Sequence, residues 1–406
     1  MMMRWLALFV LTATVSLADD WPWWRGPNLD AIALGKKAPP LKWSATENIL
    51  WKADVPGRGH GSPILYGNRV ILATADDEAE TQSLLCFDRN TGRPLWKTEI
   101  HRGGLIHRHK KNSHASSTPA CDGELVFIPF AVQEALWLTA LNLDGKIVWQ
   151  KRLGAFKSMH GYGASPVLYG SMVIVAGDSV EGSFLIALQR RTGEVAWRIG
   201  RDNYDKGNYA SPMVGRVAGR DQLLIPGPFK TYSYDPSTGN PLWTCDGPSS
   251  AANTTIIFDR ERIYSSGGFP QRNLLCIRAD GTNDVTATHR VWSKPGNATY
   301  IPSLLLHDGL LYMAHDNGKF TCFNADDGAE IWSQKLEGGF SSSPVLANGH
   351  IYVVNEDGVM FVLKEGRQFE LVAKNNLGDG GFATPSICDG RIYLRTLHAL
   401  YCIGQR

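Results

Sequence analysis

The sequence predicts an all-β, eight-bladed propeller of four-stranded antiparallel blades, and three observations carry that prediction. Residues 301–335 form one complete four-stranded unit. A Ser/Thr-Pro step, intact or degraded, opens eight such units along the chain. A second pattern, ending in Trp, closes several of them at constant register.

Within residues 301–335, β-type runs are read at Ser303 to Leu306, Leu310 to Ala314, Lys319 to Asn324 and Glu330 to Gln334. His307-Asp308-Gly309, Asp316-Asn317-Gly318 and Asp326-Asp327-Gly328 separate them. Each places Gly after short polar residues, the chemistry that a tight turn with positive φ requires. A lone sheet of this kind leaves both faces wet, so neighbouring copies are expected.

The copies open at Ser62-Pro63, Thr118-Pro119, Ser165-Pro166, Ser211-Pro212, Thr254-Thr255, Ser303-Leu304, Ser343-Pro344 and Thr384-Pro385, spaced by 40 to 56 residues. That spacing is close to the ~40–50 residues of a propeller blade. Proline is tolerated there because the first residue of a strand can lack a ladder donor.

Taken from the N-terminus, residues 1–18 combine Arg4, the apolar run Trp5 to Val15 and Ser16-Leu17-Ala18, and read as a cleaved export signal. The run is short for a membrane span, so no transmembrane segment is expected in the mature chain. Residues 19–47 read as an arm containing Trp21-Pro22-Trp23-Trp24-Arg25-Gly26-Pro27-Asn28 and Pro39-Pro40, packed across the propeller surface in preference to a ligand-stacking role. Residues 48–406 are the propeller. Its eighth unit, Thr384 to Ile403, supplies three strands, whereas Asn48 to Lys52 is an orphan fourth strand containing Trp51. The N-terminal strand is therefore predicted to close the last blade and remove the open sheet edge.

The closing pattern runs Cys86-x-Asp88-x-x-Thr91-Gly92-x-x-x-Trp96. It returns as Ala187 to Trp197, Ser233 to Trp243 and Cys322 to Trp332, and with one deletion as Ala140 to Trp149. A small residue in the third strand leaves room for an outer-strand indole that covers apolar surface between blades. Trp51, Trp96, Trp149, Trp197, Trp243, Trp292 and Trp332 are the residues expected in that role. Of the seven cysteines, Cys86, Cys276, Cys322 and Cys402 share the small-residue position in different blades. Packed sheets lie ~10 Å apart, too far for a bridge, so these four read as structural thiols. Cys121, Cys245 and Cys388 stay open.

This pattern resembles the tryptophan-docking motif of the pyrroloquinoline quinone (PQQ) propeller superfamily, over essentially the whole mature chain. The stretch Trp21 to Asn28 is similar to the start of many exported bacterial members. The resemblance implies one of two functions. One is the non-catalytic, BamB-like branch, hence an exported, periplasmic or secreted scaffold for cell-envelope or outer-membrane protein assembly, with no cofactor. The other is a quinoprotein alcohol or sugar dehydrogenase with an atypical site, binding PQQ and calcium. The dehydrogenases of the family often carry adjacent bonded cysteines, and this chain has no Cys-Cys pair. Cys-x-x-Cys-His is also absent, so no c-type haem is expected. A binding scaffold is the leading expectation, and no catalytic residue is assigned.

Formal charge is +2, or +1 without Arg4, and lacks the basic footprint of a nucleic-acid binder. A monomer is expected, with a protein partner or a small anionic or aromatic ligand. His101, His107, His109 and His114 lie in a stretch read as a solvated loop enlarging the first blade. His107 and His109 are the pair that could otherwise hold a metal, although none is expected. The residues just before each first strand should converge on one mouth of the central channel. They are Arg58, His60, His114, His160, Tyr162, Asn208, Tyr209, Tyr300, Phe340 and Phe382, with Arg58 as the expected charge partner and the aromatics as stacking walls. Interleaved glycines are expected to let backbone approach a ligand.

Overall fold

The computed structural model describes residues 19–202 and 208–405; the export signal expected at residues 1–18 lies outside them. No helix forms among the described residues, and the strands make eight sheets arranged as an eight-bladed propeller. Strands are called a to d in the order in which they neighbour one another, with strand a innermost. In the blade that displays the repeat most plainly, blade 6, these are Leu305–His307, Leu310–Ala314, Lys319–Asn324 and Glu330–Lys335. The three turns fall where the glycines place them, with φ of 71° at Gly309, 87° at Gly318 and 67° at Gly328. Strand a begins two residues later than Ser303 because the Ser303 amide leaves its own sheet and donates to Ser343 Oγ of the next blade.

The ring closes as the orphan strand predicts. Ile49–Asp54 pairs antiparallel with Ala399–Ile403, placing Trp51 opposite Cys402. One blade carries more than four strands. Asn283–Asp284, from an insertion between strands c and d of blade 5, lies parallel to Pro241–Asp246 of blade 4 and extends that sheet.

Two belts hold the blades together. The outer belt is made by indoles. Trp51 Nε1 donates to Arg89 O at 3.0 Å, Trp96 to Leu143 O at 3.0 Å, Trp149 to Arg190 O at 2.8 Å and Trp197 to Pro236 O at 3.1 Å. Trp292 and Trp332 do the same to Ala325 O and Gly366 O, each at 3.0 Å. In each case the acceptor belongs to the turn between strands c and d of the following blade. The Gly in that turn packs on the incoming ring: at Gly92, with φ of 70°, an added Cβ would lie 2.5 Å from Trp51. Trp243 differs. It is the most buried of the seven, but its Nε1 donates to Gln222 Oε1 within its own blade, because the insertion replaces the tight turn in blade 5.

Blade 7 has Ala373 where other blades have Trp, opposite Val362. The arm fills the gap. Trp43 is buried and stacks on Tyr352 with centroids 6.5 Å apart, much as Trp332 meets Tyr312 at 6.2 Å in blade 6. Its backbone N donates to Asn375 Oδ1 at 2.9 Å.

The inner belt is made by the hydroxyls of the Ser/Thr-Pro steps, six of which accept the amide of the equivalent residue in the preceding blade. Ser62 N donates to Thr118 Oγ1 at 3.0 Å, Thr118 N to Ser165 Oγ at 2.9 Å, Ser165 N to Ser211 Oγ at 2.8 Å. Thr255 N to Ser303 Oγ and Ser343 N to Thr384 Oγ1 continue it. Proline explains half of this step; the hydroxyl supplies the inter-blade bond. In blade 5 the belt residue is Thr255, one later than the Thr254-Thr255 start suggests, while Thr254 Oγ1 donates to Ser266 O.

All seven cysteines are free and buried, Cys121, Cys245 and Cys388 included. Burial pushes the Cys86, Cys276 and Cys322 thiols up to about 12, as expected of packing groups.

Candidate functional site

Strand geometry decides what faces the axis. Side chains alternate along an extended segment, so the residue two before each belt hydroxyl points to the same side as the hydroxyl itself. In blades 1, 4 and 8 that position holds His60, Tyr209 and Phe382. In blades 2, 3, 5, 6 and 7 it holds Ser116, Gly163, Asn253, Ile301 and Ser341. All eight line a single cavity of about 490 Å³ on the axis, with the belt hydroxyls below them.

The arm closes the far end of this cavity. Trp21 pairs with Leu65 of blade 1, Cys121 N of blade 2 donates to Pro22 O, and Ile32 pairs with Leu346 of blade 7. All these contacts lie farther along the inner strands than the belt. Arg25, buried, donates to Leu304 O at 2.7 Å and to the Leu29 and Asp30 carbonyls, pinning the arm's bend. Trp24 is thereby turned into the channel, where its Nε1 donates to Thr255 Oγ1 at 3.0 Å and its ring forms the floor. The channel is a well with one open end.

In the His-rich stretch His101 lies in strand d of blade 1, and the loop that follows leaves His107, His109, Lys110 and Lys111 exposed. It folds over the mouth. Arg58 Nη2 holds Lys110 O at 3.0 Å, Arg108 pairs with Asp77, and Asn112 Nδ2 donates to His160 O at 2.6 Å. Lys111 crosses to blade 7 and meets Glu356 at 2.9 Å. His109 lines the well with its ring 5.5 Å from His160, whereas His107 does not; both are exposed. Among the described residues no group of three His, Cys, Asp or Glu side chains is placed to hold a metal ion.

Five of the ten expected mouth residues meet in the well: His60, His160, Tyr209, Tyr300 and Phe382. His60 and Phe382 rings lie 4.4 Å apart, and His160 Nδ1 is 2.9 Å from Tyr209 Oη. The other five do not. Arg58 leans on His60 and the Lys110 carbonyl, outside the lining, so it is not placed as a charge partner for a ligand there. His114 lies 3.8 Å from Asp77, beside a second, much smaller void. Tyr162 is buried and donates to Ala176 O, Asn208 is tied to Asp178 and Pro226 O, and Phe340 packs on Phe361 in the core. These five stand three or four residues before the belt and turn into the blades or the covering loop. The glycines serve neighbours rather than a ligand: a Cβ on Gly59 would strike Arg395, and one on Gly61 the Ser117 carbonyl. Gly163 is the exception and lines the well.

Sequence reasoning ranked surface packing above ligand stacking for the Trp24 stretch, and it missed Lys111, Asn253, Asp316 and Glu356 as lining residues. The alternation rule finds Asn253 once the register of blade 5 is right; Asp316 and Glu356 hold the same place in the turn between strands b and c of blades 6 and 7, whereas Trp24 and Lys111 sit on the arm and on a loop outside the repeat.

The charges of the well cancel locally. Glu356 takes Lys111 and a hydrogen bond from Ser341 Oγ at 2.7 Å, and Asp316 pairs with Arg272 at 3.2 Å. Burial, followed by the Arg58, Arg395 and Arg108 guanidiniums, holds His60 down at about 3. Burial and the neighbouring histidines lower His160 as well. Both rings are neutral at pH 7. Two lining atoms, Ser62 Oγ and Asn253 Oδ1, are buried with no partner.

The fold and its axial well define a PQQ-like β-propeller, a class that includes both scaffolds and quinone enzymes. Comparison with known proteins gives the family: its model, described as "Outer membrane protein assembly factor BamB", matches residues 41–97, 80–308 and 290–368, and the chain belongs to it. The chain is 22% identical over 368 residues to the outer membrane protein assembly factor BamB of Burkholderia pseudomallei, covering 77% of this chain and 86% of that one. It is 25% identical over 340 residues to the 1-butanol dehydrogenase (quinone) of Thauera butanivorans, covering 74% of this chain but 47% of that enzyme. Among solved structures, a europium-containing methanol dehydrogenase superposes with a TM-score of 0.69 at 10% identity, covering 92% of this chain and 89% of that one. That likeness is one of fold.

Proposed function

We propose that this chain is an exported, non-catalytic binding propeller of the BamB-like branch, which offers the well and its rim to a ligand or to a protein partner in the cell envelope. The observation that carries the reading is the donor set of the well. A calcium-quinone site needs free carboxylates for the ion, but Glu356 and Asp316 already face Lys111 and Arg272. PQQ carries three carboxylates, and among the described residues the lining supplies one lysine, already paired. The residues present do not fit the cofactor.

The second reading, a quinoprotein dehydrogenase, is favoured by the similarity to the butanol dehydrogenase and by the shared fold of the methanol dehydrogenase. One experiment separates the two. Purified protein is incubated with PQQ and Ca²⁺, freed of unbound quinone and tested for dye reduction with alcohols and sugars. Neither retained quinone absorbance nor dye reduction is expected. Stoichiometric quinone with turnover would reverse the ranking.

A further inference from the structure

We infer that the well binds a neutral saccharide of one or two rings. The inference rests on reading the propeller as a non-catalytic binding protein and names the ligand class of that site. The volume, about 490 Å³, falls in the ~300–1,000 Å³ range of small-molecule sites. Its walls bring aromatic faces and neutral hydrogen-bonding groups to the same space.

Charge is the first discriminator. With Lys111 and Glu356 paired, Asp316 paired and His60 and His160 neutral, the lining offers no unpaired lysine, arginine or carboxylate to an ion among the described residues. Desolvating a charged ligand there would cost more than these groups return. The ligand is neutral.

The balance of donors and acceptors is the second. The belt oxygens accept backbone amides, so their O–H groups are the donors left to face the axis. Opposed to them are acceptors, the partnerless Asn253 Oδ1 and the remaining lone pairs of Glu356 and Asp316. A planar neutral quinone would satisfy the hydroxyls and leave these acceptors empty. A molecule rich in hydroxyls both donates and accepts, and so meets both sets. Leaving a buried acceptor unmet costs about 1–3 kcal/mol, which is the selectivity available.

Shape is the third. Trp24 forms the floor, with Tyr209, Tyr300 and Phe382 standing around it. Such faces take the C–H side of a sugar ring by apolar contact, while its hydroxyls at the edge reach the belt.

The test is ligand-observed saturation-transfer NMR with isothermal titration at pH 7, using glucose, maltose, cellobiose and N,N′-diacetylchitobiose. Glucuronate and glucosamine serve as charged controls. At least one neutral sugar is expected to saturate with Kd of about 1 mM or tighter, and Ser62→Ala, Asn253→Ala and Tyr300→Ala to weaken it about tenfold each at unchanged melting temperature. Ser62→Ala is the variant least able to disturb folding. The inference fails if no neutral sugar saturates the folded protein, if the charged controls bind as well, or if all three variants bind like wild type. Dye reduction with PQQ reads the proposed function separately: no turnover and no sugar binding sinks this inference alone, whereas turnover sinks the reading beneath it.

Discussion

The outer and inner belts of the propeller use the same repeat in opposite ways. At the rim, six indoles at one repeat position make one contact, N–H to the carbonyl of the next blade's turn. At the axis, the position two before the belt is occupied by His, Ser, Gly, Tyr, Asn, Ile and Phe in different blades, yet it always faces the well. The rim repeats a residue and the axis repeats only a direction. Stability is therefore concentrated where the sequence is uniform, and ligand chemistry where it varies.

The largest effect that could break this comparison is at the rim. Trp292→Ala should lower unfolding free energy by about 3–5 kcal/mol in urea denaturation. Trp43→Ala sharpens the point, since it should fall in the same range although Trp43 belongs to the arm; a loss below about 1 kcal/mol would show that the arm does not complete blade 7. Next is the partner glycine of the rim. Gly92→Ala puts a side chain at positive φ against the Trp51 ring and should cost about 2–4 kcal/mol. A neutral result would mean that the ring and turn are not tightly packed.

Thr118→Val probes the inner belt. It removes the acceptor of the buried Ser62 amide at nearly constant volume and should cost about 1–3 kcal/mol, less than a rim indole. A larger loss than Trp292→Ala would invert the comparison.

At pH 7 His60 gives the smallest effect, and its contribution becomes visible only in pH dependence. Its folded value, about 3, lies below the ordinary 6.5, so the unfolded chain binds the proton first. The stabilisation from its neutral ring is complete above pH 6.5 and lost as pH falls toward 3. His60→Asn should flatten the slope of stability against pH in that window by up to about 1.4 kcal/mol per unit. His101 and His315, both held near 4 by burial, keep part of the slope in the variant. An unchanged slope would place His60 in water rather than in the wall.

How much of this was legible follows from the same contrast. Ser/Thr-Pro, Thr-Gly and Trp recur, so the eight blades, the closure by Trp51 and the free state of Cys86, Cys276, Cys322 and Cys402 could be read directly, while Cys121, Cys245 and Cys388 stayed open. Trp243 could not be distinguished, because its different bond depends on an insertion in the following blade. Trp43 and Trp24 were hidden because nothing local says which blade an arm residue will reach. Half of the mouth candidates fell outside the well: for Tyr162, Asn208 and Phe340 proximity to strand a was used where alternation was needed, while Arg58 and His114 are drawn aside by Lys110 O and Asp77. Tyr162 and Asn208 stand three residues before their belt hydroxyls and face the blades. Asn253 was lost to a register error of one residue.

The most direct test of the division between rim and axis is a paired measurement on Trp292→Ala and Asn253→Ala, with urea denaturation and sugar titration performed on both. The account predicts a crossed result: Trp292→Ala loses about 3–5 kcal/mol and binds normally while folded, and Asn253→Ala keeps its stability and binds about tenfold more weakly. Equal loss of stability in both variants, with binding unchanged in Asn253→Ala, would contradict it.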